Sequence, residues 1–269
     1  MRALLIFTIL VSPLFANPWA SGRGNRYFSL SYSTANYDRI YLNDKQFHFS
    51  NQEVTNESWD MGYYYGMNDR DTLILTSKYS NIGAFAPIPG PGTSQWTDTY
   101  LGMKRTYRSG KISQAWELGY MSPTNYDAKT ITAPGYGESE IVAAWHWGKV
   151  NNMSNFISFS ARYRKRDNAA PNAAQLSFEY IKKIKEKLTG RVIAFYDEQF
   201  SAVNLFDAMT GWTNFSFHRK DESQLIGALA FAYKLKPGLD ANFQIAHKFD
   251  GRNTDASDRS ITVGLGWSF

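Results

Sequence analysis

From residue 26 to its end, the chain alternates apolar and polar positions with a period of two. Phe28, Leu30 and Tyr32 interleave with Ser29, Ser31 and Ser33. Ile157, Phe159, Ala161 and Tyr163 interleave with Ser158, Ser160, Arg162 and Arg164. Successive side chains of a strand point to opposite faces, so each segment has one apolar and one polar face. No long stretch keeps the 3.6-residue period of a helix. The pattern predicts about 12 strands, near 26–37, 57–67, 71–81, 96–107, 111–121, 138–149, 154–165, 173–184, 187–199, 223–235, 239–248 and 258–269. Short turns join alternate pairs: Asn68-Asp69-Arg70, Ser109-Gly110, Val150 to Met153, Lys185-Glu186 and Lys236-Pro237-Gly238. The segments 38–56, 82–95, 122–137, 166–172, 200–222 and 249–257 are longer connections. Strands of about ten residues, with short turns on one side and longer loops on the other, predict an antiparallel transmembrane β-barrel. Its short turns would be periplasmic and its longer loops extracellular.

The polar faces decide what lies inside. Asp60, Lys78, Asp98, Lys104, Glu117, Glu140, His146, Arg162, Arg164, Glu179, Asp240 and Lys248 all fall opposite the large rings, and Arg191 shares that face. A dozen strands are too many for a soluble barrel filled by apolar side chains alone. Rings facing lipid and charges facing a lumen account for both faces, and closure satisfies every backbone group within the bilayer. Trp96, Trp116, Tyr120, Trp145, Trp147, Tyr163, Tyr180 and Tyr233 lie near strand ends, where headgroup-level girdles are expected. In the last strand Ile261, Val263, Leu265, Trp267 and Phe269 alternate with Ser260, Thr262, Gly264, Gly266 and Ser268. That strand resembles the terminal signal of bacterial outer-membrane proteins. The resemblance implies that Leu265, Trp267 and Phe269 are read by the barrel-assembly machinery.

Composition narrows this further. The chain has 269 residues with Tyr 17, Phe 18 and Trp 8, and no cysteine, yet its mean hydropathy is −0.42. Aromatic richness in a hydrophilic average fits alternation, and the missing thiols exclude disulfides, thiolate metal sites and thiol nucleophiles. Arg2 followed by the apolar stretch Ala3 to Ala16 predicts a signal peptide over 1–16, leaving a barrel domain over 17–269. Lys+Arg 29 against Asp+Glu 24 is a modest basic excess, spread along strands and turns such as Lys182, Lys183, Lys185 and Lys187. It forms no compact nucleic-acid module. Contact with outer-membrane lipid and lipopolysaccharide is the expected use.

Catalytic and cofactor signals are weak. His48, His146, His218 and His247 show no two-histidine metal spacing, and no Gly-rich phosphate loop opens a helix. Neither a metal nor a cofactor is therefore expected. Ser216-Phe217-His218 places a hydroxyl and an imidazole on one face, without the orienting acid that acyl transfer needs. His146, between Trp145 and Trp147, is expected inside, among Glu140 and the other lumen charges. Pro87-Ile88-Pro89-Gly90-Pro91-Gly92 reads as a stiff loop tip. The apolar segment 200–222, with Phe206, Met209 and Trp212, is expected to fold into the mouth as a constriction.

Two stretches resemble a known group. Trp19-Ala20-Ser21-Gly22-Arg23-Gly24 running into Leu30-Ser31-Tyr32 resembles the start of XagA-like outer-membrane proteins. These are related in style to the MetA-pathway and fatty-acid-type barrel transporters. Tyr163-Arg164-Lys165-Arg166-Asp167, a short Ala/Pro/Asn loop and Leu176-Ser177-Phe178 are similar to the same group. The resemblance implies a barrel that passes small molecules or supports export of surface polymer, and it supplies no catalytic residues. The reading is a channel for an unidentified small-molecule cargo. A non-conducting barrel serving exopolysaccharide, biofilm or adhesion, and an outer-membrane hydrolase, stay open as alternatives.

Overall fold

The computed structural model describes residues 18–37, 39–42, 45–48, 54–82, 93–124, 139–152, 155–166, 172–200, 223–252 and 259–269. In chain order the strands are β1 (Arg26–Tyr37), β2 (Arg39–Leu42), β3 (Lys45–His48), β4 (Val54–Gly66), β5 (Asp71–Ile82), β6 (Thr93–Arg108) and β7 (Ile112–Ser122). They continue with β8 (Glu140–Asn152), β9 (Asn155–Arg166), β10 (Asn172–Lys185), β11 (Leu188–Phe200), β12 (Ser223–Lys236), β13 (Leu239–Arg252) and β14 (Arg259–Ser268). β2 and β3 form a separate hairpin, while the other twelve strands pair antiparallel around a closed barrel in which β1 lies between β14 and β4. The signal-peptide segment, the Pro87–Gly92 tip, the constriction candidates Phe206, Met209 and Trp212, and Ser216–His218 lie outside the described residues.

Closure runs to the last residue. Arg26 N donates to Phe269 O at 2.9 Å and Phe269 N donates back to Arg26 O at 3.0 Å. Along this seam Leu30 stands opposite Leu265 and Phe28 opposite Trp267, with ring centroids 5.7 Å apart. A closed ladder leaves no edge whose N–H and C=O groups would face hydrocarbon unpaired.

The outer face is the apolar one. Leu75, Leu101, Leu118, Val192, Leu229 and Ile245 all point outward and are exposed, Leu118 by 62% and Leu229 by 55%. So large a continuous apolar surface is what a hydrocarbon-facing band presents. Aromatic rings edge it at both ends. At the end holding the short turns, Trp145 Nε1 donates to Tyr107 Oη at 3.0 Å, and Tyr107 stacks on Trp116 at 6.4 Å. At the far end Tyr32 meets Trp59 at 5.1 Å and Tyr79 meets Trp96 at 5.6 Å.

Two features depart from the periodic reading. The segment taken as the connection 38–56 contains the hairpin β2–β3, too short for its alternation to stand out. In β6 a bulge sets Thr97 and Asp98 together opposite Lys78. An extra residue in one strand shifts its alternation by one. Asp98 thus keeps the inward parity of Tyr100 and Lys104, while Trp96 beyond the bulge faces out beside Tyr79.

Candidate functional site

The inner wall divides by side-chain size. From β6 to β11 it carries long ionic groups that bridge neighbouring strands. Arg162, Arg164 and Arg166 occupy successive inward positions of β9, each rung about 7 Å from the next at a strand's rise. Each reaches a different acid. Arg162 Nη2 donates to Glu117 Oε1 at 3.1 Å, passing over the small Ala144 that separates their strands. Arg164 Nη2 lies 2.9 Å from both carboxylate oxygens of Asp197, across Ala173. Arg166 Nε donates to Glu140 Oε1 at 2.5 Å. On the adjoining strands Arg191 pairs with Glu179. Guanidinium–carboxylate pairs satisfy charges that a confined space would otherwise leave costly.

Glu117 is the hub of the cluster nearest the turn end. Besides Arg162 it accepts from Tyr100 Oη at 2.7 Å, and His146 Nε2 stands 3.3 Å from its second oxygen. Lys104 is its direct neighbour on β6. His146 is completely buried, and its carboxylate partner is Glu117. Glu140, which the sequence reading set beside it, belongs to Arg166 nearer the far end of β8. Tyr100 reaches Glu117 by lying along the wall over two glycines. A Cβ on Gly102 would come within 2.2 Å of the phenol oxygen, and one on Gly119 within 2.4 Å of the ring.

From β12 through β14 to β1 most inward positions are small. Ala228, Ala230 and Ala246 pack with Ile193, and Thr262, Gly264, Gly266, Ser29, Ser31 and Ser33 continue the surface. Asp240, Asn242, Gln244 and Lys248 project from it on β13. Asn242 Oδ1 and Gln244 Oε1 are buried and have no hydrogen-bond partner in the protein; Tyr27 Oη, on β1, is in the same position. Buried acceptors of this kind require water as their partner.

The turn end of the lumen is crossed by the chain segment 18–25. Thr106 Oγ1 and Ser113 Oγ both donate to Pro18 O, at 2.9 and 3.3 Å. Trp19 meets Phe156 edge to face at 6.0 Å. Ser21 N donates to Thr72 Oγ1 at 3.1 Å, and Gly24 N to Gly66 O at 2.7 Å. The segment therefore follows the inner rim from β9 to β4 before entering β1. A Cβ on Gly148 would lie 2.6 Å from both Pro18 Cγ and the Trp19 ring, so the wall leaves room there for this strap.

The twelve residues expected inside all take inward register positions. Asp60 faces Lys78 on β5, Asp240 faces Gly266 on β14, and Lys248 follows Ala246 on β13. Sequence reasoning passed over others that the structure brings to the same wall. Arg166 was assigned to a loop because the predicted strand stopped one residue short. Asp197 shares the inward parity of Arg191 and Ile193, a signal that was legible. Tyr64 and Tyr100 sit on the polar face, where the rule of rings outside does not look. The strap carried no periodic signal at all.

Neither a protein-family profile nor any curated protein sequence matches the chain. Solved structures do resemble it. An outer membrane channel from Pseudomonas putida aligns with TM-score 0.77 and 12% identity, over 97% of this chain and 100% of that one. The NanC porin aligns with TM-score 0.57 and 8% identity, over 88% and 98%. The KdgM porin, in complex with disordered oligogalacturonate, aligns with TM-score 0.52 and 8% identity, over 90% and 99%. The chain thus has the fold of outer-membrane β-barrel channels.

Proposed function

We propose that this protein is a narrow outer-membrane channel that passes small hydrophilic solutes passively, with its short turns in the periplasm. The observation that carries this reading is the wall of inward polar and charged side chains, from Lys104 and Glu117 to Asp240 and Asn242, inside a barrel whose outer face is apolar. Groups of this kind call for water there. The ionic wall from β6 to β11 sets the width, and the strap from Pro18 to Asn25 narrows the periplasmic mouth. Four acid–base pairs on that wall balance each other's charge, so the channel selects by size more than by sign of charge. Likeness in fold to channels and porins supports the reading and does not name a cargo. The C-terminal strand ending in Leu265, Trp267 and Phe269 is its proposed handle for assembly.

Purified protein reconstituted in planar bilayers tests this. Discrete unit currents with a reversal potential close to zero in a salt gradient are expected. A silent bilayer, with protein shown folded by its heat-modifiable gel mobility, would overturn the channel and leave a non-conducting surface barrel.

A further inference from the structure

The turn end carries a second feature, on the lipid side of the wall. The β10–β11 hairpin runs Lys182-Lys183-Ile184-Lys185-Glu186-Lys187, and the β12–β13 hairpin runs Lys234-Leu235-Lys236-Pro237-Gly238. They stand side by side. Lys234 N donates to Lys187 O at 2.9 Å, which joins them into one continuous lip. The lysines of both hairpins are exposed, and Glu186 is the one acid among them.

Register decides which of these lysines face the membrane. Lys182 pairs with Gly190 on the outer face. Each hairpin then carries a bulge, between Lys183 and Lys185 in one and between Lys234 and Lys236 in the other. The added residue moves the alternation on by one. Lys185 therefore stands opposite Leu188 and Lys236 opposite Leu239, both outward positions. The bulged residues Ile184 and Leu235 remain 47% and 48% exposed, beside Tyr233. An interface tyrosine with apolar groups on one side and a row of ammonium groups on the other matches a phospholipid's own order of acyl chain, glycerol and phosphate. The β4–β7 side of the same rim mixes its cations Arg70, Arg105, Arg108 and Lys111 with Asp69 and Asp71, and Arg105 is held by Asp71 at 2.7 Å.

We propose that this lip binds the headgroups of anionic glycerophospholipids in the adjoining leaflet, through Lys182, Lys185 and Lys236. An acidic cell-wall polymer is the other class that lysines could recruit. The apolar Ile184, Leu235 and Tyr233 next to the charges favour lipid, because a sugar polymer has nothing to place against them. The proposal does not depend on conduction.

The test places the full chain in nanodiscs of mixed phosphatidylglycerol and phosphatidylcholine and counts retained lipids by native mass spectrometry. Retained phosphatidylglycerol should exceed its bulk share. The triple variant Lys182→Gln, Lys185→Gln, Lys236→Gln should return it to the bulk share, and the corresponding arginine triple should keep the enrichment. Each lysine is expected to contribute up to about fivefold at low salt, and less as salt rises. Heat-modifiable mobility establishes that the variants are folded. Should the glutamine triple misfold, a salt titration of the wild type must still erase the enrichment. Equal retention of both lipids by the wild type, or undiminished enrichment in a folded glutamine triple, overturns the proposal. So does lysine-dependent sedimentation with cell-wall sacculi in the absence of any lipid preference.

Discussion

The two halves of the inner wall are built from the same alternating strands and differ chiefly in side-chain length. Between β6 and β11, Arg162 and Arg164 reach past small neighbours such as Ala144 and Ala173 to acids two strands away, and Arg166 and Arg191 pair with acids on the adjacent strand. Between β12 and β1 most inward positions hold alanine, serine, threonine and glycine, with Tyr27, Asp240, Asn242, Gln244 and Lys248 rising from them. One half is thus cross-linked by guanidinium–carboxylate pairs, and the other by contacts between short side chains such as Ser33 Oγ and Thr262 Oγ1, 2.8 Å apart. The lesson is that one alternating pattern can build two walls that are held together differently.

Breaking the ionic half should have the largest effect. Glu117→Ala removes the carboxylate shared by Arg162, Tyr100 and His146, in a site where its side chain is 1% exposed. Stranding buried partners in this way costs about 3–5 kcal/mol, read as a lower denaturant midpoint for unfolding from lipid. Pairing it with Arg162→Met should cost less than the sum of the two single changes, since the Arg162 guanidinium is then not stranded.

Filling the small half tests the other side of the comparison. Ala230→Trp places a large ring where the inward surface is closely packed beside Ala228, and should cut unit current to roughly a tenth or less. An unchanged current in folded protein would show that solutes take another route. A gentler effect is expected at the mouth. Gly148→Val puts carbon atoms into the space of Pro18 and Trp19, displaces the strap, and should raise current by roughly twofold. Arg105→Gln should do least. The Arg105–Asp71 pair stands on the outer rim with the arginine side chain 63% exposed, so water already competes for it, and the unfolding midpoint should not move.

Much of this architecture was legible in residue order. Ser158, Ser160, Arg162 and Arg164 alternating with Ile157, Phe159, Ala161 and Tyr163 define a strand and its two faces without any knowledge of neighbours. The final Phe269 sits on the same apolar face as Leu265 and Trp267, and the seam with β1 uses it. Pairing between strands was another matter. His146 lies on the same strand as Glu140 yet meets Glu117, because contact across a sheet depends on register rather than on distance along the chain. The β6 bulge left Asp98 facing inward and Trp96 facing outward, although both are even-numbered. Uniform alternation cannot express such a shift.

What the sequence determined alone is the number of barrel strands, the sense of each face and an exterior greasier than the interior. These follow from a period of two, which is a local property of an extended chain. Only the tertiary structure decided which acid each arginine takes, where the wall is thin, and that Pro18 and Trp19 turn back inside the rim. Those outcomes depend on closure. Once β1 meets β14, every register is fixed relative to every other, and side chains far apart in the chain must share one narrow interior.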